Sequence, residues 1–218
     1  MALSNAQRRN IRYTAFALAG VVALMVSMFV RQFINPAQLD AGWLSIRGAV
    51  IFDAPRTLTT PVLLDLEAQP FNGSAFRGRW SVVYFGFTYC PDVCPTTLAL
   101  LRQVEDSLQP PGGRRLPVSF YLATVDPARD TPAILKTYVT HFSPSFKGLT
   151  GEFLDVHRFA TELNTPFRKS VLPDGSYTID HGSNLALIDP QGQFAGFVTP
   201  PFEVAKLKAL LEVLRTRP

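Results

Sequence analysis

The apolar positions begin with an uncharged run at residues 13–30, about the length needed to cross the hydrocarbon core of a bilayer. Shorter runs with other periods follow it. Apolar or alternating stretches around 45–52 and 62–66 predict strands. Residues 80–87 read WSVVYFGF, β-branched and aromatic with no polar alternation beyond Ser81, which predicts a central strand buried on both faces. Over 96–108, Leu98, Ala99, Leu101, Val104 and Leu108 recur at three- and four-residue steps and predict a helix, stopped by Pro110-Pro111-Gly112-Gly113. LPVSFYLATV at 116–125 predicts the next buried strand. Thr131-Pro132 opens a helix running to about His141, because threonine caps well and proline suits the first helical position. A further helix is predicted at 152–163 and a turn at Asp174-Gly175. Strands at 184–188 and 194–198, joined by Pro190-Gln191-Gly192, come next, and an amphipathic helix at 203–214 ends the pattern.

Strands and helices that alternate and then end in a hairpin and a helix predict an α/β fold, a three-layer sandwich with a mixed sheet. A thioredoxin-like fold fits this order. No internal repeat or low-complexity segment interrupts it.

The first run is read as one transmembrane helix at 13–31. It is nearly twice as long as the apolar part of a typical signal peptide, and no small-x-small cleavage site follows it, so an uncleaved anchor is expected. Arg8, Arg9 and Arg12 precede the span while Arg31 alone borders its far end, which keeps 1–12 cytoplasmic and sends the rest across. A linker at 32–44, containing Asn35-Pro36, then leads to one domain at 45–218. Only about a dozen residues precede the span, too few for an Arg- and Ser-rich transit peptide. A bacterial inner membrane with the domain in the periplasm is therefore expected ahead of a mitochondrial inner membrane facing the intermembrane space.

Composition adds two limits. A hydrophobic share of 47%, with 17 Phe, argues against disorder. The net charge of +4 does not imply nucleic acid, because Lys and Arg are scattered and form no basic stripe with interleaved aromatics. The charge is read as a solvated surface plus the arginines before the span, and no nucleic-acid partner is expected.

The candidate chemistry lies where the buried strand at 80–87 meets the helix after it, in Thr88-Tyr89-Cys90-Pro91-Asp92-Val93-Cys94-Pro95. Open α/β sheets place their sites at such strand ends. Unpaired N–H groups and the dipole at a helix start favour thiolate, which is both nucleophile and metal ligand. Cys90 and Cys94 are four apart, so a helical turn between them brings both side chains to one face. The spacing permits a disulfide or a soft pocket suited to Cu(I). A structural disulfide is the plain alternative in an oxidising compartment, yet a bridge closing so short a loop removes little chain entropy.

Two thiolates need a further donor to complete a metal site. Of three histidines, His141 near a helix end is read as a surface residue and His157, one turn after Phe153, as a half-buried packing residue. His181 lies in the polar segment Asp180-His181-Gly182-Ser183-Asn184 before an apolar strand, where a loop can present it as a ligand.

YFGFTYCPDVCP, VDPARDTP at 125–132, GLTG at 148–151 and DHGSN at 180–184, in that order, resemble the Sco/SenC family. With the N-terminal anchor, the resemblance covers nearly the whole chain. It implies a thioredoxin-like domain that binds one copper ion, Cu(I) or Cu(II), through Cys90, Cys94 and His181. It also implies a metallochaperone role in assembling the binuclear copper A centre of cytochrome c oxidase, with the copper A subunit and an upstream copper donor as partners. The aspartate of the VDP motif falls on Asp126, expected to support the site from behind its ligands; Asp130 of the same motif is read as a cap for the next helix. The family often has serine after the histidine, and here that residue is Gly182.

Thiolates favour Cu(I) and imidazole also serves Cu(II), so this donor set can follow copper through both oxidation states. Structural zinc wants a fourth protein ligand, and no equally marked donor is offered. The main rival is a thiol-disulfide oxidoreductase that uses Cys90 and Cys94 to reduce the copper A cysteines, so enzymatic activity stays open at this level. Thioredoxin-fold redox enzymes place a cis-proline before the strand facing the site, whereas 180–184 contain none. A peroxidase reading is weaker, because peroxiredoxins carry threonine three residues before the reactive cysteine and Thr88 is two before Cys90.

Overall fold

The structure, a computed structural model, describes residues 5–34, 41–59, 62–109 and 118–215. The chain divides into two units, residues 1–39 and 40–218. In the first, α1 (Asn5–Ile34) contains the apolar stretch Ile11–Met28, among the described residues the one helix long and apolar enough to cross a membrane. Its described side chains, at 11–28, are exposed. The predicted linker at 32–44 begins inside α1, and its residues 35–40 lie outside the described residues.

The second unit opens with α2 (Ala41–Ser45) and β1 (Ala49–Arg56). The strand predicted at 45–52 thus starts four residues later. Gly48, at φ +64°, ends the helical turn in a conformation that disfavours a side chain. β2 (Leu63–Leu64) and β3 (Pro70–Phe71) are short strands, β3 at the sheet edge, so the strand expected at 62–66 shrinks to two residues. A 3-10 turn (Gly73–Phe76) precedes β4 (Trp80–Gly86), whose seven residues are all buried, as the lack of polar alternation predicts.

The helix predicted at 96–108 begins three residues earlier, as α3 (Val93–Ser107), so Cys94 stands in its first turn. The Pro110-Gly113 stop and positions 116–117 of the next predicted strand lie outside the described residues. β5 (Val118–Thr124), α4 (Pro132–Phe142), β6 (Lys147–Gly151) and α5 (Phe153–Glu162) follow, with GLTG inside β6. Next comes a hairpin that periodicity does not reveal, β7 (Phe167–Val171) and β8 (Tyr177–His181). β9 (Leu185–Ile188), β10 (Phe194–Val198) and α6 (Val204–Leu214) match the predicted closing hairpin and helix.

Eight strands form one sheet in the order β1-β10-β9-β4-β5-β6-β2-β3, while β7 and β8 pair as a separate sheet. β4, β5 and β6 run parallel, whereas β9 runs antiparallel to β4 with Leu185 beside Tyr84. Helices cover both faces, which are distinguished by strand parity. On one face Trp80 Nε1 donates to the Leu214 carbonyl of α6 at 3.1 Å and Tyr84 reaches Cys94 of α3. On the other, the rings of Phe85 and Phe159 of α5 meet at 5.6 Å. This is the mixed α/β sandwich with thioredoxin-like order that the pattern predicts. Its consequence for the site is geometric: the C-terminal end of β4 and the N-terminal end of β9 emerge together.

Candidate metal centre

Cys90 and Cys94 owe their positions to the way α3 starts. Asp92 occupies the N-cap but makes no side-chain cap bond. The Cys94 N–H, unpaired in any first helical turn, donates instead to Cys90 Sγ at 3.4 Å. Cys90 N–H in turn donates to the Phe87 carbonyl at 3.2 Å, which folds the loop back on the strand end. Both cysteines are free thiols.

Cys94 is pressed onto the sheet. A Cβ on Gly86 would come within 3.0 Å of Cys94 Sγ, so glycine is required there by proximity rather than by its backbone angles. Beneath the sulfur, the fully buried Tyr84 donates its hydroxyl to Cys94 Sγ at 3.5 Å. Burial, reinforced by the hydrogen bond with Cys90, pushes the Cys94 thiol up to about 12, so at this cysteine desolvation outweighs the helix start that was expected to favour thiolate. Burial also raises the Tyr84 phenol far above its ordinary value, so it remains a donor at neutral pH. Exposure differs between the two cysteines: Cys90 retains 8% and Cys94 none.

His181 closes β8, and 182–184 carry the chain to β9. The residue is thus the last of a strand rather than part of the polar turn expected from Asp180 to Asn184. The ladder to Phe167 accounts for the difference, because β7 supplies pairing that a single-strand pattern cannot reveal. Nδ1 lies 3.0 Å from the Gly182 carbonyl, which fixes the proton there and leaves the Nε2 lone pair free. Nε2 lies 3.7 Å from Cys94 Sγ. Burial lowers the His181 pKa, against the raising effects of the Gly182 carbonyl and the Asp180 charge, so the ring is neutral at pH 7. The Phe87 and Tyr84 rings meet it edge-on at 5.9 and 6.2 Å. Gly182 is tight: a Cβ there would approach Thr165 Cγ2 to 3.2 Å, so glycine lets the chain pass the buried Thr165.

The ligand atoms of Cys90, Cys94 and His181 all lie within 4.8 Å of one another. A trigonal metal with zinc-like bonds of about 2.3 Å to sulfur and about 2.0 Å to nitrogen separates those two donors by about 3.7 Å. The observed 3.7 Å between Cys94 Sγ and His181 Nε2 fits that requirement. The other two histidines are elsewhere: His141 is exposed beside Phe142, and the half-buried His157 packs on Phe153 and Phe167.

Asp130 takes a different role from the helix cap that the sequence suggests. Thr131, not Asp130, caps α4, accepting from Ile134 N–H at 3.4 Å. Asp130 is fully buried and accepts from Thr88 N–H at 3.0 Å, Thr88 Oγ1 at 2.5 Å and Thr124 Oγ1 at 2.5 Å. It therefore ties the cysteine loop to the end of β5, because a buried carboxylate needs several donors. Asp126, also buried, accepts from Tyr177 Oη at 3.0 Å and pairs with Arg129. Burial first, and Asp126 next, raise the Tyr177 pKa and keep that phenol protonated.

Sequence reasoning missed Tyr84, Arg129 and Tyr177. A tyrosine in an otherwise apolar buried strand was a signal for the first, since its hydroxyl needs a partner.

The SCO1/SenC family matches residues 55–214 of the chain. A Stutzerimonas stutzeri protein named for copper binding is 39% identical over 159 residues, 72% of this chain and 77% of that one. The mitochondrial protein SCO1 of Saccharomyces cerevisiae is 39% identical over 136 residues, 61% of this chain but 45% of its own length. A crystal structure of yeast Sco1 with copper bound shares 31% identity at a TM-score of 0.66, covering 75% of this chain and 91% of that one.

Proposed function

The chain belongs to the SCO1/SenC family, and on that premise we propose that it is a copper metallochaperone held at a membrane. It takes one copper ion between Cys90 Sγ, Cys94 Sγ and His181 Nε2 and passes it to the copper A subunit of cytochrome c oxidase. The observation that carries this reading is the convergence of those atoms within 4.8 Å, two of them from one helix start and the third from a hairpin 87 residues after Cys94.

The chemistry of capture follows from the surroundings. Soft sulfurs hold Cu(I), and the neutral imidazole extends the set to Cu(II). Loading releases the Cys94 proton, because burial keeps that thiol protonated at neutral pH. Tyr84 then donates into the newly charged sulfur, and the Cys94 N–H donates into Cys90. Cys90, the more exposed cysteine, is the natural point of transfer to an acceptor thiolate. Asp126 acts at a distance, through Tyr177 on the strand that ends in His181.

The surroundings of the domain belong to the same proposal. Residues 1–12 are cytoplasmic, 13–31 span a bacterial inner membrane, 32–44 link, and 45–218 work in the periplasm. The apolar helix and its flanking arginines support this arrangement.

Replacing His181 by Ala tests the assignment. Tight Cu(II) binding is expected to disappear while the unfolding transition stays near that of the parent; unchanged copper affinity and visible spectrum would defeat it. A second reading, thiol-disulfide exchange, is favoured by the unequal exposure of the two thiols. In that reaction the Cys90 thiolate attacks a partner disulfide and expels one partner thiolate, Cys94 then attacks Cys90 Sγ of the mixed disulfide to form a Cys90–Cys94 disulfide and expel the other, and two electrons pass from the cysteine pair to the partner thiols. A variant that reduces such a disulfide yet fails to transfer copper separates the two.

A further inference from the structure

We propose that Arg129 and Tyr177 form a clasp that fixes the β7–β8 hairpin against the cysteine loop and so governs how His181 meets and leaves the metal. The inference rests on the copper reading above and adds two residues to it.

The hairpin needs an external hold. It is a sheet of its own with five residues per strand, and a lone two-stranded ribbon is marginal in water. Its root is held where Phe167, paired with His181, packs on Phe153 at 5.7 Å and His157 at 5.3 Å. Tyr177, Ile179 and His181 alternate onto one face of β8, so Tyr177 lies about 13 Å along the strand from His181. A ribbon pinned at its root alone can rock about that root, where His181 stands. Pinning the far end removes the freedom.

Among the described residues, the polar side-chain tie from the hairpin to the rest of the domain, apart from His181 itself, is Tyr177 Oη to Asp126 Oδ1 at 3.0 Å. Arg129 completes it. Its guanidinium pairs with Asp126 and lies 4.1 Å from the centre of the Tyr177 ring, 4.8 Å from that of Tyr89 and 5.9 Å from that of Phe87. Tyr89 and Phe87 belong to the cysteine loop, and the Phe87 ring also meets His181. One side chain thus touches the loop bearing the thiols, the buried carboxylate and the strand bearing the imidazole. Its Nη2 is buried with no hydrogen-bond partner among the described residues, so the carboxylate and the rings hold it in place. The neutralised Asp126 in turn tolerates burial, which an unpaired carboxylate would not.

The test uses the full chain in detergent with Tyr177→Phe and Arg129→Met. Hydrogen exchange of the metal-free, reduced protein is expected to quicken about tenfold across 167–181 in either variant, as for loss of a charge-assisted bond, with 82–85 unchanged. Release of copper to a chelator should accelerate about tenfold, and Tyr177→Phe should add nothing once His181 is Ala. Unchanged hairpin exchange would overturn the clasp, as would equal acceleration in the His181→Ala background. Loss of protection spreading into 82–85 would also overturn it, by making the pair a general stability element. If the parent chain takes up no copper, the copper reading falls, and the exchange measurement still decides the clasp.

Discussion

Tyr84→Phe removes one oxygen from the fully buried floor of the site and leaves the ring that packs β4 against α3. The lost group is the hydroxyl that donates to Cys94 Sγ at 3.5 Å. Against a neutral thiol such a bond is worth about 1 kcal/mol net, so the metal-free protein should lose little stability. Against a metal-bound thiolate the bond is charge-assisted, about 1.5 to 3 kcal/mol, or a loss of affinity of roughly ten- to a hundredfold. A donor into sulfur also lowers the energy of its lone pair, so its removal should move the sulfur-to-Cu(II) charge-transfer band to longer wavelength. Competition with a chromophoric Cu(I) chelator measures the first effect and the visible spectrum of the Cu(II) form the second. If the variant bound copper as tightly as the parent with an unmoved band, Tyr84 would not donate into a ligand sulfur.

Copper affinity should rise with pH between about pH 7 and 9, by about tenfold per unit for each proton released, because the Cys94 thiol, pushed up to about 12, is protonated throughout that window. Since burial lowers the His181 pKa, competition from imidazole protonation should begin only below the ordinary histidine value of 6.5, as titrations over a pH series would reveal. Asp130→Ala leaves Thr88 N–H, Thr88 Oγ1 and Thr124 Oγ1 without their acceptor and should cost about 3 kcal/mol or more in chemical denaturation, with the cysteine loop loosened. Gly86→Ala puts a methyl within 3.0 Å of Cys94 Sγ and should destabilise by about 1 to 3 kcal/mol in the same assay, displacing that sulfur from the imidazole.

The sheet was legible where burial is symmetrical. β4 and β5 present mostly apolar runs, interrupted by Ser81, Ser119 and Thr124, and β10 falls on the residues its pattern predicts, because core strands leave no choice of face. The β7–β8 hairpin was not legible. Its outer positions carry Arg168, Ser170, Thr178 and Asp180, and its buried hydrophobic residues are Phe167 and Ile179, too sparse for a period-two signal. The turn at Asp174-Gly175 was visible while the strands around it were not. For the site, the spacing of Cys90 and Cys94 announced shared orientation, since a four-residue step in a helical turn leaves little freedom. Their juxtaposition with His181 depends on β9 pairing antiparallel to β4, a contact between distant stretches that local pattern does not encode. Asp130 was misread for a related reason: its three donors come from Thr88 and Thr124, not from the helix that follows it.

The missing cap at Asp92 has an effect on the order of events at the helix start. Because Cys94 N–H rests on a sulfur rather than on an oxygen, whatever that sulfur carries is felt by the backbone of the first turn. Metal on Cys90 leaves an electron-rich acceptor and keeps the turn wound, whereas a bridge between the sulfurs weakens the acceptor and invites the turn to fray. The amide of residue 94 is thus a built-in gauge of the site's chemical state.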